Sequence, residues 1–193
     1  MLEKRNPRVD IYDTIFKVVF FGEDGVGTSS LLKGTTSDYI YDTKLTIGVD
    51  LWVKKKTKDL TLREKVLRIE ERTVKLLILR LSNEKRFRAV LAKHLTAANG
   101  AIFMYDITNP TTVEKISEWT SIVRNVAGEI PIVLVGGKAD LVESRQVSRE
   151  EALQIKKLKG LDAFIECSSV TGENVEEVFK IISRLMVQHL LFH

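Results

Sequence analysis

The stretch "GEDGVGTSS", from Gly22 to Ser30, lies between an apolar run and a helical pattern. It matches the phosphate-binding motif G-x-x-x-x-G-K-[ST] at each specified position except the lysine, where Thr28 stands instead. In loops of this kind, successive backbone N–H groups and the N-terminus of the following helix surround a phosphate. The stretch therefore predicts a phosphate loop that keeps its backbone and lacks its side-chain cation.

Apolar runs alternate with helical patterns along the rest of the chain. Four runs are typical of short buried strands: "IFKVVFFG" (15–22), "AIFMYDIT" (101–108), "IPIVLVGG" (130–137) and "DAFIECSS" (162–169). Helical patterns follow them, at "TSSLLKGTT", "TTVEKISEWTSIVRNVA", "SREEALQIKKLKG" and "NVEEVFKIISRLMVQHLL". This alternation predicts an α/β fold in which helices cover both faces of a parallel sheet.

Two of the helical patterns begin with capping signals. Thr111 and Glu114 have the spacing of a capping box, and Ser148 stands three residues before Glu151. Gly160 is expected to end the second of these helices. We therefore expect both helices to begin with a side-chain N-cap.

The region between residues 48 and 81 departs from the alternation. The runs "GVDLWVKKK" and "VLRIEERTVKLLILRL" predict two long strands joined as a hairpin, with "TKDLTLREK" protruding between them. We expect an enlarged hairpin insertion at about 55–66, within one domain that spans residues 1–193. The many lysines and arginines of this hairpin fit either a solvated edge strand or a contact site for an acidic partner or a membrane surface.

Composition and charge exclude several classes of protein. The chain has 193 residues, of which 44% are hydrophobic and 29% charged, as is ordinary for one globular domain. Its net charge of +4 does not indicate nucleic-acid binding, because the positive charges are mixed with acids and lack interleaved aromatics. No run reaches the roughly 20 apolar residues of a membrane span, and the ending "MVQHLLFH" lacks the cysteine needed for C-terminal prenylation. We expect a cytoplasmic domain without a lipid anchor.

The sequence has a single cysteine, Cys167, which excludes an internal disulfide and favours a reducing compartment. Its position after "DAFIE" favours an inert core thiol over a nucleophile. With one cysteine and three scattered histidines, His94, His189 and His193, a zinc site is not expected.

Five motifs in the right order and spacing resemble the Ras superfamily of small GTPases, and within it the Rab branch. They are "GEDGVGTSSLL", "TIGVD" (46–50), "YDITNP" (105–110), "VGGKADL" (135–141) and "ECSSVTGENVEEVF" (166–179). The resemblance runs from about Ile15 to the C-terminus, and the "GGKAD" form is similar to archaeal Rab-like proteins. It implies a three-layer P-loop small-GTPase fold with a mostly parallel six-stranded sheet, one antiparallel edge hairpin and helices on both faces.

The resemblance also implies a site for GTP or GDP. On the phosphate side it assigns the loop residues Asp24, Gly25, Val26, Gly27, Thr28, Ser29 and Ser30. Ser29 and Thr46 stand at positions that hold Mg²⁺ in the family, and Thr46 also meets the γ-phosphate. Tyr39 would supply an aromatic edge beside the base.

On the base side, Asp140 aligns with the aspartate that accepts hydrogen bonds from guanine. Lys138 would lay its alkyl stem along the base, while Ser168 and Ser169 would place backbone N–H groups near the guanine oxygen. Two departures weaken the support around the base without removing the main guanine reader. They are Gly137, where the family usually has asparagine, and Val170, where it usually has lysine.

The phosphate side departs further from the family. Thr28 replaces the lysine that reaches the β- and γ-phosphates, and Asp24 adds a carboxylate nearby. The family motif "WDTAGQE" aligns with "LRLSNEK" (79–85), so that Arg80 replaces an aspartate that helps to hold Mg²⁺. In the same alignment Asn83 replaces a glycine, and Glu84 replaces the glutamine that orients the attacking water. These changes predict weak nucleotide binding and little or no hydrolysis, and they leave Mg²⁺ binding open.

Three arrangements are open for Arg80. Its side chain could point into solvent, pair with Asp24 inside an empty nucleotide site, or clamp a phosphate in place of Mg²⁺. Each of them places the guanidinium differently relative to the phosphate loop.

Two functions are compatible with these motifs. The first is a Rab-like switch or regulator that binds guanine nucleotide weakly. The second is a pseudo-GTPase scaffold that binds no nucleotide. In both, protein effectors or regulators would be met through the switch regions and the basic hairpin; an active GTPase with an unorthodox site is a third alternative.

Overall fold

Six strands form one mixed sheet in the part of the chain that the structure describes. The structure is a computed structural model, and it describes residues 12–35, 60–81 and 95–192. The strands are β1 (Thr14–Gly22), β2 (Leu60–Ile69), β3 (Arg72–Leu81), β4 (Gly100–Asp106), β5 (Ile132–Gly137) and β6 (Ala163–Glu166). Their order across the sheet is β2-β3-β1-β4-β5-β6, and only β2 and β3 pair antiparallel. The predicted fold class is confirmed.

Helices lie on both faces of the sheet. Within the described ranges they are α1 (Thr28–Thr35), α2 (Thr111–Glu114), α3 (Ile116–Ala127), α4 (Arg149–Leu158) and α5 (Val175–Phe192). The predicted N-cap of α4 is confirmed, because the Ser148 hydroxyl oxygen accepts a hydrogen bond from the Glu151 N–H at 3.1 Å. Gly160 follows this helix with a φ of 59°, as a C-terminal glycine should.

The capping box predicted at Thr111 is wrong. The residue before the helix is Pro110, whose side chain makes no capping hydrogen bond. The Asn109 side-chain oxygen instead accepts hydrogen bonds from both the N–H and the hydroxyl of Thr111, at 3.1 and 2.8 Å. The Thr111 hydroxyl is therefore used as a donor and does not cap Glu114.

The β2–β3 hairpin turns at Glu70 and Glu71, which differs from the prediction. Its register pairs Leu60 with Leu81 and Ile69 with Arg72. The predicted insertion is therefore wrong over residues 60–66, which belong to β2, and residues 66–81 form two strands instead of one; residues 48–59 lie outside the described ranges. The turn was missed because neither position is a Gly, Pro or Asn, although Glu70 adopts a φ of 54°.

Three of the hairpin's described cations lie largely within the fold. Lys75 Nζ is 2.9 Å from the Glu64 carboxylate, and Lys65 Nζ is 2.7 Å from the carboxylate of Glu176 on α5. Arg63 is buried as well. The expected solvated edge is therefore wrong for these three basic residues, because their side chains are largely covered.

Strand β1 contributes to two hydrophobic cores, one on each face of the sheet. Val18 and Phe20 pack in the core that includes α1 and α5. Val19 and Phe21 pack in the core that includes α3 and α4, where the Phe21 ring stacks on Trp119 at a centroid distance of 4.9 Å. Each such side chain contributes about 1.5–3 kcal/mol by burial. The strand that leads into the phosphate loop is therefore anchored on both faces of the sheet.

The parallel strands all end at one edge of the sheet. The phosphate loop follows β1, residues 107–110 follow β4, residues 138–141 follow β5, and residues 167–174 follow β6. In open α/β sheets, ligands bind in the crevice outside the carboxyl ends of the strands. The fold thus brings the predicted phosphate and base residues to the same edge.

Candidate functional site

The phosphate loop has the backbone conformation that its glycines predict. Gly25 and Gly27 adopt φ values of 84° and 101°, which favour glycine. Among the described residues, no group accepts a hydrogen bond from the N–H of either glycine. A Cβ atom added at Gly25 would meet nothing within 4 Å. The loop therefore offers free backbone donors and open space at the start of α1, which suits a phosphate.

The side chains at the start of α1 divide into one buried and two exposed. Thr28, at the position of the missing lysine, is 5% exposed. Its hydroxyl lies 3.4 Å from where a Cβ on Gly22 would stand, at the end of β1. Ser29 and Ser30 are exposed. The Thr28 side chain is thus short and largely covered, and it cannot reach as far as the lysine it replaces.

Arg80 lies beside the phosphate loop. The β1–β3 register pairs it with Phe20, two residues before the loop begins. Its Nη2 atom is 4.0 Å from Oδ1 of Asp24, and its side chain is 23% exposed. The alternative in which Arg80 points away into solvent is therefore wrong, and pairing with Asp24 is the arrangement found.

The Asp24–Arg80 pair is weak as a source of stability. The Asp24 side chain is 86% exposed, and ion pairs open to solvent contribute about 0–1 kcal/mol. The pair matters instead for its location, because it places a positive and a negative charge at the phosphate loop.

The base side is built from the loops after β5 and β6. Lys138 adopts a φ of 63°, which turns the chain sharply after β5. The Ser168 hydroxyl donates a hydrogen bond of 2.5 Å to Oδ1 of Asp140, and its oxygen accepts from the N–H groups of Val170 and Thr171. Ser168 thereby fixes the Asp140 carboxylate to the β6 loop.

The two predicted serines take different roles. The N–H of Ser168 donates to the Glu173 carbonyl at 3.0 Å, and the residue is fully buried. Its N–H is therefore not offered to a base, contrary to the expectation, and its contribution is the bond to Asp140. Ser169 is partly exposed and Val170 is exposed, so both can be reached by a ligand.

Sequence reasoning missed an ion pair at the loop after β5, residues 138–141, which we call the base loop. Lys138 Nζ lies 2.5 Å from Oδ2 of Asp106, while Oδ1 of Asp106 accepts from the N–H and hydroxyl of Thr108. Burial alone would raise the pKa of Asp106, but the bonds from Lys138 and Thr108 outweigh it and hold the pKa below its ordinary value. The pair was detectable in principle, because Asp106 ends β4 and Lys138 directly follows the neighbouring parallel strand β5.

Sequence reasoning also missed the contacts of Glu166, the last residue of β6, which hold the start of the following loop. Glu166 is buried and accepts two bonds from Arg145, at 2.7 and 3.0 Å, and one from Arg149 at 2.9 Å. Its backbone carbonyl accepts from the Asn174 side chain at 2.8 Å. Burial, and then the Glu166 charge, raise the pKa of the neighbouring Tyr105. These contacts fix the strand end from which the loop carrying Ser168 starts.

Cys167 is the first residue of the loop after β6 and is fully buried. Burial raises its pKa to about 12, so the thiol is protonated at neutral pH. The interpretation as an inert core thiol is supported.

Several predicted site residues lie outside the described residues. They are Tyr39, Thr46, Asn83 and Glu84. Among the described candidates for Mg²⁺, Ser29 supplies a hydroxyl, whereas Arg80 stands where a carboxylate would be needed and carries the wrong charge for a ligand. The described residues therefore suit the base and the phosphates of a nucleotide better than they suit a magnesium ion.

Comparison with known proteins agrees with this geometry. The sequence profile described as Ras family matches residues 17–188. The chain belongs to the Ras family. Ras-related protein RABA2a from Arabidopsis thaliana is 38% identical over 173 residues, covering 89% of this chain and 74% of the relative. Ras-related protein RABA6b from the same plant is 36% identical, covering 86% and 69%. Ras-related protein YPTC6 from Chlamydomonas reinhardtii is 35% identical, covering 90% and 76%.

The protein is thus a Rab-like small GTPase by family. Membership implies guanine-nucleotide binding and protein effectors or regulators. Within the described ranges, this Rab-like protein has no helix long and apolar enough to cross a membrane. The same part of the chain holds no cluster of three or more His, Cys, Asp or Glu residues that could bind a metal ion.

Proposed function

We propose that this Rab-like protein is a regulator that binds GTP or GDP weakly and hydrolyses GTP slowly or not at all. The observation that carries the proposal is the contrast between the two halves of the site. The base side is preorganised by the bond between Ser168 and Asp140. The phosphate side keeps its backbone donors but has a buried threonine in place of the lysine.

The base side supports recognition of guanine. A carboxylate fixed by a hydroxyl donor and backed by the Lys138–Asp106 pair loses little freedom on binding. Asp140 is partly exposed, so its second oxygen is available to donors on a base. Guanine presents two such donors, its N1–H and its exocyclic amine.

The phosphate side supports weak binding. A charge-assisted hydrogen bond contributes about 1.5–3 kcal/mol, so the loss of one lysine contact weakens affinity by roughly 10- to 100-fold. Asp24 adds like-charge repulsion, which Arg80 partly offsets from 4.0 Å away. The backbone donors of Gly25 and Gly27 remain to hold a phosphate.

Slow hydrolysis follows from the same replacements. Phosphoryl transfer depends on positioned cations and on an oriented water. Thr28 supplies no charge, and Arg80 supplies no magnesium ligand. Glu84, which the alignment places at the water-orienting glutamine, would replace a neutral amide with a negatively charged carboxylate that has no N–H donor. We propose that the protein acts through its contacts with effectors and regulators in the cytoplasm, and that GTP hydrolysis contributes little to its function.

A pseudo-GTPase scaffold is the second candidate, and the Asp24–Arg80 pair favours it. The Arg80 cation already has a carboxylate of the phosphate loop as its neighbour, so its attraction for a phosphate is reduced. In that case the fold acts as a protein-interaction surface without nucleotide.

Nucleotide extraction separates the two candidates. Protein purified with Mg²⁺ is denatured, and any released nucleotide is identified by anion-exchange chromatography. We expect GDP or GTP at less than one equivalent, which dialysis removes and millimolar GDP restores. Stoichiometric nucleotide that dialysis does not remove would overturn the proposal of weak binding. If no GDP binds at millimolar concentration, the pseudo-GTPase scaffold is the remaining candidate.

Two variants make the binding assay specific. Asp140→Ala should abolish binding of GDP, whereas Glu143→Ala, which removes an exposed carboxylate three residues away, should leave it unchanged. Single-turnover hydrolysis of bound GTP should match the rate without protein. A rate comparable with that of ordinary small GTPases would contradict the proposal.

A further inference from the structure

Met104 of β4 fills the space beside Gly137 at the end of β5. The side chain is 1% exposed and belongs to the core that includes α1 and α5. A Cβ atom added at Gly137 would clash with Met104 Cε, because the two atoms would be closer than non-bonded carbons approach. No side chain can therefore stand at position 137 while Met104 keeps its present conformation.

The phosphate loop lies against the same point. The Gly137 Cβ position is 2.7 Å from the carbonyl oxygen of Val26, and Met104 Cε is 3.4 Å from where a Cβ on Gly27 would stand. The Met104 methyl group thus touches the phosphate loop on one side and the start of the base loop on the other. Three segments that are distant in sequence meet at this methyl group.

We propose that Met104 is a positioning residue that joins the phosphate loop to the base loop by packing. The inference rests on the proposed function, because it assigns a role within the same nucleotide site. Where the family usually has asparagine at position 137, this protein combines a glycine with a methionine on the neighbouring strand. The methionine occupies the volume that the absent side chain leaves and sets the distance between the two loops.

Methionine suits this role for physical reasons. It is unbranched and has three rotatable bonds, so that its terminal methyl fills irregular gaps between rigid backbone segments. Close packing transmits displacement, because interiors contain few voids that could absorb it. A shift of the Met104 methyl group must therefore be accommodated by Val26 and Gly27 or by Gly137.

A matched pair of methionine variants tests the inference without any nucleotide. Met186 of α5 is equally buried in the same core and lies over Gly100, remote in the sheet from the phosphate loop. We would compare Met104→Leu with Met186→Leu, both nearly volume-conserving. The Val26 and Leu31 N–H groups donate hydrogen bonds to the carbonyls of Glu23 and Gly27. Hydrogen exchange of these two amides, followed by NMR on nucleotide-free protein, should be about tenfold faster in Met104→Leu and unchanged in Met186→Leu. Equal exchange in both variants would overturn the proposal.

A double variant tests the pairing of the two positions. Gly137→Ala alone should lower the melting temperature, because its Cβ meets both Met104 Cε and the Val26 carbonyl. Adding Met104→Ala should cost less in this background than in wild type, since the methyl clash is gone. Strict additivity of the two changes would contradict direct contact.

Nucleotide binding then separates this inference from the function on which it rests. If GDP binds, Met104→Leu should weaken it about tenfold and Met186→Leu less than twofold. If wild-type protein binds no guanine nucleotide, the proposed function fails while hydrogen exchange still decides whether Met104 positions the loop. Weakened exchange protection of the loop with unchanged GDP affinity would refute the functional part of the inference.

Discussion

The guanidinium Nη2 of Arg80 on β3 lies 4.0 Å from the carboxylate Oδ1 of Asp24 in the phosphate loop. The contact follows from the sheet, because β3 runs parallel to β1 and pairs Arg80 with Phe20. An anion bound by the loop would compete with Asp24 for this cation. The charge arrangement of the phosphate side therefore differs from that implied by the family at three positions, namely 24, 28 and 80.

Restoring the family's charges should strengthen nucleotide binding. We expect Thr28→Lys combined with Arg80→Asp to tighten GDP binding at least tenfold and to make it dependent on Mg²⁺, because a cation and a magnesium ligand are regained together. Isothermal titration calorimetry with and without EDTA measures both effects. Thr28→Met with Arg80→Asp is the matched control, since it adds length without charge; equal affinities of the two double variants would show that the phosphate site is elsewhere.

Removing the Ser168 hydroxyl should weaken recognition of the base. Ser168→Ala frees the Asp140 carboxylate and deletes a hydrogen bond to a charged group, so GDP affinity should fall about tenfold. Ser183→Ala is the control: this serine is equally buried, and its hydroxyl has no hydrogen-bond partner in the described part of the chain. If both variants bind GDP as wild type does, Ser168 has no part in the site.

The hairpin turn should accept glycine with a gain in stability. Glu70 has a φ of 54°, a conformation that costs an L-residue about 1–2 kcal/mol and glycine nothing, while glycine adds about 0.5–1 kcal/mol of unfolded-state entropy. Glu70→Gly should therefore raise the free energy of unfolding by about 0.5–1 kcal/mol in urea titrations. Glu71→Gly, whose φ is not positive, should lower it; the reverse order would place the turn differently.

Acid should weaken the pair beneath the base loop. Because the pKa of Asp106 is lower in the folded protein than the ordinary value of about 3.9, its contribution is fully present above that value and is lost as pH falls through the folded pKa. Urea titrations from pH 6 to pH 3 should show a smaller loss of stability in Asp106→Asn than in wild type. Glu143→Gln, which alters an exposed carboxylate, should follow wild type, and a parallel profile for Asp106→Asn would refute the assignment.

Most of the fold could be predicted because it depends on local pattern. The runs containing Val18–Phe21 and Val133–Val135 are apolar on both faces, which only a covered parallel sheet explains. The hairpin turn was missed because positions 70 and 71 are both glutamate, which is not among the residues that usually signal a turn. The Thr111 capping box failed because Thr111 is the first residue of the helix and donates both its N–H and its hydroxyl to the side-chain oxygen of Asn109.

The candidate site was only partly predictable, since its main contacts join distant segments. Motif spacing identified Asp140 and Ser168, but the hydroxyl bond between them depends on how the loops after β5 and β6 meet. The glycine at position 137 was noticed as a departure, while its partner Met104 reads in sequence as one more strand residue. Only the three-dimensional packing connects the two.

The central place of β1 has a practical consequence for identifying ligands. The phosphate loop continues directly from a strand whose side chains anchor both cores, so occupancy of the loop is coupled to cooperative melting of the whole domain. A ligand at 100 times its dissociation constant raises stability by about 2.7 kcal/mol whatever its intrinsic strength. Differential scanning fluorimetry against a library of nucleotides and phosphorylated metabolites would therefore register even a feeble binder, provided that the concentration is high enough.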